Sequence, residues 1–260
     1  MIGDAISHAV LPGIVIAFMI SGSAAKIPML IGAASLGLLT TFLIETFHRK
    51  AKLQSDASIG LTFTWLFAIG VIMVSAYTGQ VHIDQDCVLH GEIAFIPLDT
   101  WVTDGGLNLG PTAIWLSSIV LVLILAMIFI GYKGLFLTSF DPDYAATVGI
   151  AVSFWHYLLM SAVSLTTVVS FESVGAILVV AFLIAPPATA YLLTNNFKLM
   201  MILTVLIGIL SAIGGYFLAV WIDGSIAAAM SVVAGIEFLL VFLFSPSNGL
   251  VSKKFFPKPG

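Results

Sequence analysis

The stretch Gly3-Asp4-Ala5-Ile6-Ser7-His8-Ala9-Val10-Leu11-Pro12-Gly13 runs without a break into Ile14-Val15-Ile16-Ala17-Phe18-Met19-Ile20. It reads as the start of a membrane-spanning helix that carries two ionisable groups. Asp4 and His8 stand four residues apart, which sets carboxylate and imidazole on one helical face in successive turns. A charge inside a bilayer is costly, so ionisable groups there face a pore or a partner. Aspartate oxygen with histidine nitrogen is also half of a divalent transition-metal site. The competing reading makes Asp4 an N-cap and leaves His8 at headgroup level. Spacing alone leaves both open.

The rest of the chain sets the context. Of its 260 residues, 60% are hydrophobic and 8% charged, and the mean hydropathy is +1.15. Such a composition excludes a water-soluble domain and predicts an all-α, polytopic membrane protein. The apolar runs are continuous, unlike the alternating segments of a membrane β-barrel. A single cysteine, Cys87, excludes an internal disulfide and a thiolate metal cluster. The N-terminus has neither the basic flank nor the small-residue cleavage site of a signal peptide.

Apolar runs at residues 5–24, 27–45, 57–76, 112–131, 150–170, 173–193, 199–221 and 225–245 give eight candidate spans. With the N-terminus inside, Arg49, Lys50, Lys52, Lys133, Lys198, Lys253, Lys254 and Lys258 all fall on the cytoplasmic side, and Lys26 alone falls outside. Both termini are then cytoplasmic. The longest connection, 77–111, lies outside and holds Asp84, Asp86, Glu92, Asp99 and Asp104 without Lys or Arg. It reads either as an acidic collar that attracts cations or as an ordinary solvated loop. Cys87, His90 and Glu92 in that loop match no zinc spacing.

Within the spans, Gly32, Ala33, Gly37, Gly60, Gly70, Gly208, Gly214, Gly215 and Ala227 to Ala229 mark close helix packing. Pro186-Pro187 removes two backbone donors from the sixth span and predicts a kink there. The carbonyls so freed either line an ion path or merely accompany a bend. His156, among the aromatics Phe154, Trp155 and Tyr157, reads as a hydrogen-bonded interfacial histidine or as part of the path. Glu237 lies well inside the eighth span and requires a polar partner.

After the fourth span, Asp141 as N-cap, Pro142 at the first helical position and Asp143 in the first turn spell a helix start. Gly149 supplies the stop. A short helix therefore lies across the inner surface within 139–149, placed where a cytoplasmic partner could push on it.

These motifs together resemble the permease subunits of the ABC importers for manganese, zinc and chelated iron. The resemblance is carried by Gly3 to Gly13, by Cys87-Val88-Leu89-His90-Gly91-Glu92-Ile93, by Phe140 to Gly149, and by Val174-Gly175-Ala176-Ile177-Leu178-Val179-Val180-Ala181 through Pro186 and Ala190. It spans essentially the whole chain as a single permease domain, 1–260. Members of that family have a further membrane helix upstream of the Gly-Asp segment. This sequence starts two residues before that segment, so that helix is expected to be missing upstream of Met1.

The resemblance implies a homodimer of large-bundle importer type in a bacterial inner or plasma membrane. Asp4 and His8 match the metal-coordinating pair, and two copies across a two-fold axis would supply two carboxylates and two imidazoles. Asp141, Pro142, Asp143, Ala145 and Gly149 match the coupling helix that docks on the ATPase. Pro186, Pro187, His156 and Glu237 are further candidates along the pathway. The cargo is a divalent metal, with manganese favoured by the outer-loop resemblance over zinc or iron. No permanently bound cofactor and no nucleic-acid partner are expected. The chain lacks a G-x-x-x-x-G-K-[ST] phosphate loop, so it is not itself an enzyme, and ATP hydrolysis falls to a separate subunit. An extracytoplasmic metal-binding lipoprotein or periplasmic protein would deliver the ion. The alternatives are an ion-coupled secondary transporter, which would repeat its broken helix in both halves, and an intramembrane metalloprotease, which would carry H-E-x-x-H. The double proline occurs once, and H-E-x-x-H is absent.

Overall fold

Pro12 has no N–H to return to the carbonyl one turn earlier, and the first helix divides beside it. In the computed structural model, which describes residues 2–22, 26–77, 93–102 and 108–245, α1 spans Ile2–Ala9 and α2 spans Leu11–Ser21. Val10 joins them, with its N–H on Ile6 O at 3.1 Å and the Gly13 N–H on Val10 O at 2.9 Å. Gly22, at φ 63°, closes α2 in the left-handed conformation that glycine adopts without cost. The expected first span, 5–24, is therefore two short helices and not one long one.

The remaining helices are α3 (Lys26–Arg49), α4 (Ser55–Tyr77), α5 (Thr112–Phe140), α6 (Pro142–Thr147), α7 (Val152–Leu193), α8 (Phe197–Ile222) and α9 (Ile226–Phe244). Among the described residues, seven stretches are long and apolar enough to cross a membrane: Pro28–Arg49, Ser55–Ala76, Thr112–Phe140, Val152–Phe171, Ser173–Leu193, Phe197–Ile222 and Ile226–Phe244. Two of these lie in α7, whose backbone leaves the helical region at Gly175, with φ 78° and ψ 167°. That combination is essentially closed to residues with a Cβ, so the glycine localises the break.

At Pro186-Pro187, where a kink was expected, the helix does not unwind. The chain stays helical through both prolines, and Pro186 is buried. Membrane helices tolerate proline where neighbouring groups re-satisfy the backbone.

Part of the expected outer loop 77–111 also has regular structure. A 3₁₀ turn covers Ile93–Leu98, and β1 (Thr100–Val102) pairs antiparallel with β2 (Asn108–Pro111), with Thr100 opposite Pro111 and Val102 opposite Asn108. Asp84, Asp86, Cys87, His90, Glu92 and Asp104 lie outside the described residues.

The chain divides into two compact units, Met1–Asp84 with Ile96–Glu172, and Gln85–Phe95 with Ser173–Gly260. The first unit packs on small residues. A Cβ on Gly13 would overlap the Gly32 carbonyl oxygen, so α2 and α3 meet backbone to backbone. Gly70 of α4 faces Pro12 Cδ at 2.9 Å measured from its ideal Cβ position. Ile6 and Val10 join Ala33 of α3 and Val168 of α7 in a buried cluster. Helix α5 buries only Gly131 and Gly134, the two notches in which the Trp155 ring lies.

In the second unit, Gly215 of α8 meets the Met230 backbone of α9, and the buried Ala219, Ala227, Ala229 and Ala234 continue the close-packed theme. Gly60 and Gly208, expected to mark packing faces, instead face open space within the chain.

Candidate functional site

Helix α1 presents the candidate metal ligands. Ile6, fully buried, and Val10 fix one side of it in the core. Asp4 and His8 stand in successive turns of the same short helix. The His8 imidazole is partly buried between two rings of α4, with centroids 5.7 Å from Phe63 and 5.9 Å from Phe67. The two phenylalanines stack on each other at 5.9 Å. The imidazole is thereby held against an apolar wall, and the Asp4 side chain lies outside the described residues. Among the described residues, no three His, Cys, Asp or Glu side chains converge as a metal cage.

The other candidates acquire definite partners. His156 of α7 donates through Nε2 to Glu45 Oε2 of α3 at 2.8 Å. Arg49 Nε donates to the second oxygen, Glu45 Oε1, one helical turn away, and Arg49 Nη1 reaches Ser153 Oγ at 3.3 Å. The polar partner that Glu237 required is Ser211 of α8, whose Oγ donates to Glu237 Oε2 at 2.5 Å. Pro186, Pro187 and Glu237 belong to the second unit; Asp4, His8 and His156 belong to the first.

Helix α6 forms as its residues dictate. Asp141 Oδ1 accepts from the Tyr144 N–H at 2.9 Å, Pro142 opens the helix, Asp143 stands in its first turn, and Gly149 takes φ 83° beyond its end. Ala145, however, is 0% exposed, whereas Tyr144 and Val148 are 54% and 56% exposed. Of the five residues that spell the helix, Ala145 alone is turned inward, while Asp141, Pro142, Asp143 and Gly149 share the exposed surface with Tyr144 and Val148.

Sequence reasoning missed Glu45, whose i,i+4 spacing to Arg49 was the available signal. It also missed Trp155 as the side chain filling the glycine notches of α5.

Helices of membrane-crossing length, a broken first helix carrying Asp4 and His8, and a short capped helix between two spans define a polytopic membrane permease. Comparison with known proteins agrees. The family model described as the ABC 3 transport family matches residues 1–245. The chain is 53% identical over 254 residues to the manganese transport system membrane protein MntD of Bacillus subtilis, covering 98% of this chain and 85% of that one. It is 43% identical to the zinc transport system membrane protein TroD of Treponema pallidum, covering 97% and 68%. Among solved structures, PsaBC from Streptococcus pneumoniae in complex with Fab superposes with a TM-score of 0.76 at 33% identity, covering 97% of this chain and 84% of that one. The chain belongs to the ABC 3 transport family, as a multi-pass permease of the plasma membrane.

Proposed function

We propose that this chain forms the membrane pathway of an ATP-driven importer of divalent transition metal, with manganese as the cargo and Asp4 and His8 as its ligands. The observation that carries this reading is the placement of both residues in successive turns of α1, a helix anchored by Ile6 and Val10 on its buried side. A carboxylate with an imidazole suits manganese and zinc alike, and intrinsic affinity favours zinc. The preference for manganese rests on the 53% identity to a manganese system, against 43% to a zinc system. Two copies of the chain in a homodimer would bring four ligands to one ion.

The distribution of basic residues supports cytoplasmic termini and an external 77–111 connection. Helix α6 then lies inside, where Tyr144 and Val148 offer an exposed surface to separate ATPase subunits. A solute-binding protein outside would hand over the ion. The test is uptake of radiolabelled manganese, zinc and iron in cells lacking their own importers, with and without the co-expressed ATPase and binding protein. Manganese uptake that requires all three components is expected; uptake that persists without the ATPase would favour a secondary transporter and overturn the proposal.

A further inference from the structure

Glu45 is 8% exposed, and both of its carboxylate oxygens are engaged. One accepts from Arg49 on its own helix, the other from His156 on α7 at 2.8 Å. Arg49 also reaches Ser153 at 3.3 Å. Ser153 and His156 are three apart and so share one face of the first turns of α7. The cluster thus ties the end of α3 to the start of α7.

The start of α7 is also where α6 enters. The chain leaves α6 through Gly149, with the Ile150 N–H returning to Ala145 O at 2.9 Å, and Val152 opens α7. In the same first turn Trp155 fills the notches at Gly131 and Gly134 of α5, the helix that leads into α6 from the other side. A displacement of α6 is therefore delivered to a turn gripped by α5 through a ring and by α3 through charges.

From Glu45 the contact between α3 and α7 continues toward the candidate metal site. The ideal Cβ position of Gly37 lies 2.5 Å from Ser164 Oγ, 3.3 Å from Val168 and 3.4 Å from Ile6 of α1. One turn further, Ala33 and Val168 share a buried cluster with Ile6 and Val10. Helices α3 and α7 thus meet at two levels, at the Glu45 cluster beside α6 and at Gly37 and Ala33 beside Ile6 of the helix bearing Asp4 and His8, all within the first unit.

We infer that the Glu45–Arg49–His156–Ser153 cluster is the joint that transmits movement of α6 to α1, with Glu45 as its positioning residue. This rests on the proposed role of α6 as the helix that receives the ATPase stroke. A buried carboxylate with both oxygens paired resists partial separation, because losing one partner strands a charge. The joint therefore moves α3 with α7 instead of letting them slide.

The test uses the full importer, with its ATPase and binding protein, in proteoliposomes at matched permease content. Manganese import and ATP hydrolysis are measured in the same vesicles. For Glu45→Gln, hydrolysis is expected to continue while ions imported per ATP fall about tenfold, the size of change seen when a residue along a coupling route is altered. An unchanged ratio would overturn the inference. Where Glu45→Gln does not accumulate, His156→Leu and His156→Lys decide: a ratio that falls with Leu and is kept with Lys supports the joint, and equal ratios overturn it. Failure of the unmodified importer to couple hydrolysis to metal import would instead contradict the proposed function.

Discussion

Gly13 and Gly32 bring α2 and α3 together so closely that a side chain on either would overlap the other's carbonyl oxygen. Lipid offers no hydrophobic drive for helix association, so such backbone contact supplies dispersion that larger residues would block. Gly13→Ala is expected to lower stability by about 1–3 kcal/mol, the usual cost of overpacking. Gly60→Ala, where the added methyl meets open space, is expected to be near neutral. Thermal unfolding of both variants in the same detergent checks the contrast.

A second pair of substitutions locates the break in α7. Gly175 sits at φ 78° and ψ 167°, so Gly175→Ala should cost about 1–3 kcal/mol of backbone strain. Pro186→Ala restores an N–H donor in a stretch that is already helical, and should be stable or more stable than the parent. A larger loss of thermal stability for Pro186→Ala than for Gly175→Ala would show that the prolines set the bend.

The hydroxyl of Ser211 is fully buried and lies within hydrogen-bond distance of two acceptors for its single proton, Ile207 O at 2.9 Å and Glu237 Oε2 at 2.5 Å. Ser211→Ala leaves the carboxylate short of a donor, which costs about 1–3 kcal/mol for a buried group. Glu237→Gln keeps an acceptor for the same hydroxyl and should cost less. Unfolding midpoints of the two single variants and the double variant give the coupling directly.

Much of this was legible in the sequence, for reasons that differ from residue to residue. Long apolar runs declare spans because every backbone group in lipid must be bonded within a helix. Asp141, Pro142 and Gly149 declare α6 because caps act locally. The break in α7 falls beside the boundary expected between the spans 150–170 and 173–193, but the residue that makes it, Gly175, reveals its backbone angles only once folded. The partners of His156 and Glu237 were hidden because they are 111 and 26 residues away. The split between α1 and α2 was readable from Pro12, yet the apolar run around it suggested continuity.

Ala145 illustrates the same limit at the proposed coupling helix. It is fully buried within the chain, so Ala145→Glu would force a charge into the core and reduce membrane abundance. Tyr144→Glu and Val148→Glu, on the exposed side of α6, should instead preserve abundance and weaken binding of the ATPase. Co-purification of the ATPase with each variant, normalised to permease recovered, distinguishes them; full recovery of ATPase with both exposed variants would remove α6 as the docking site.

The most direct measurement is radiolabelled manganese uptake by Asp4→Asn and His8→Gln at wild-type membrane abundance. Both substitutions keep size and hydrogen bonding while weakening or removing a metal ligand. Removing even a group that only supports a ligand costs about 10–100-fold in metal affinity, so uptake at limiting manganese should fall by at least about tenfold in each variant. Near-normal uptake by both would mean that the N-cap and the interfacial imidazole describe these residues fully, and that the metal is bound elsewhere.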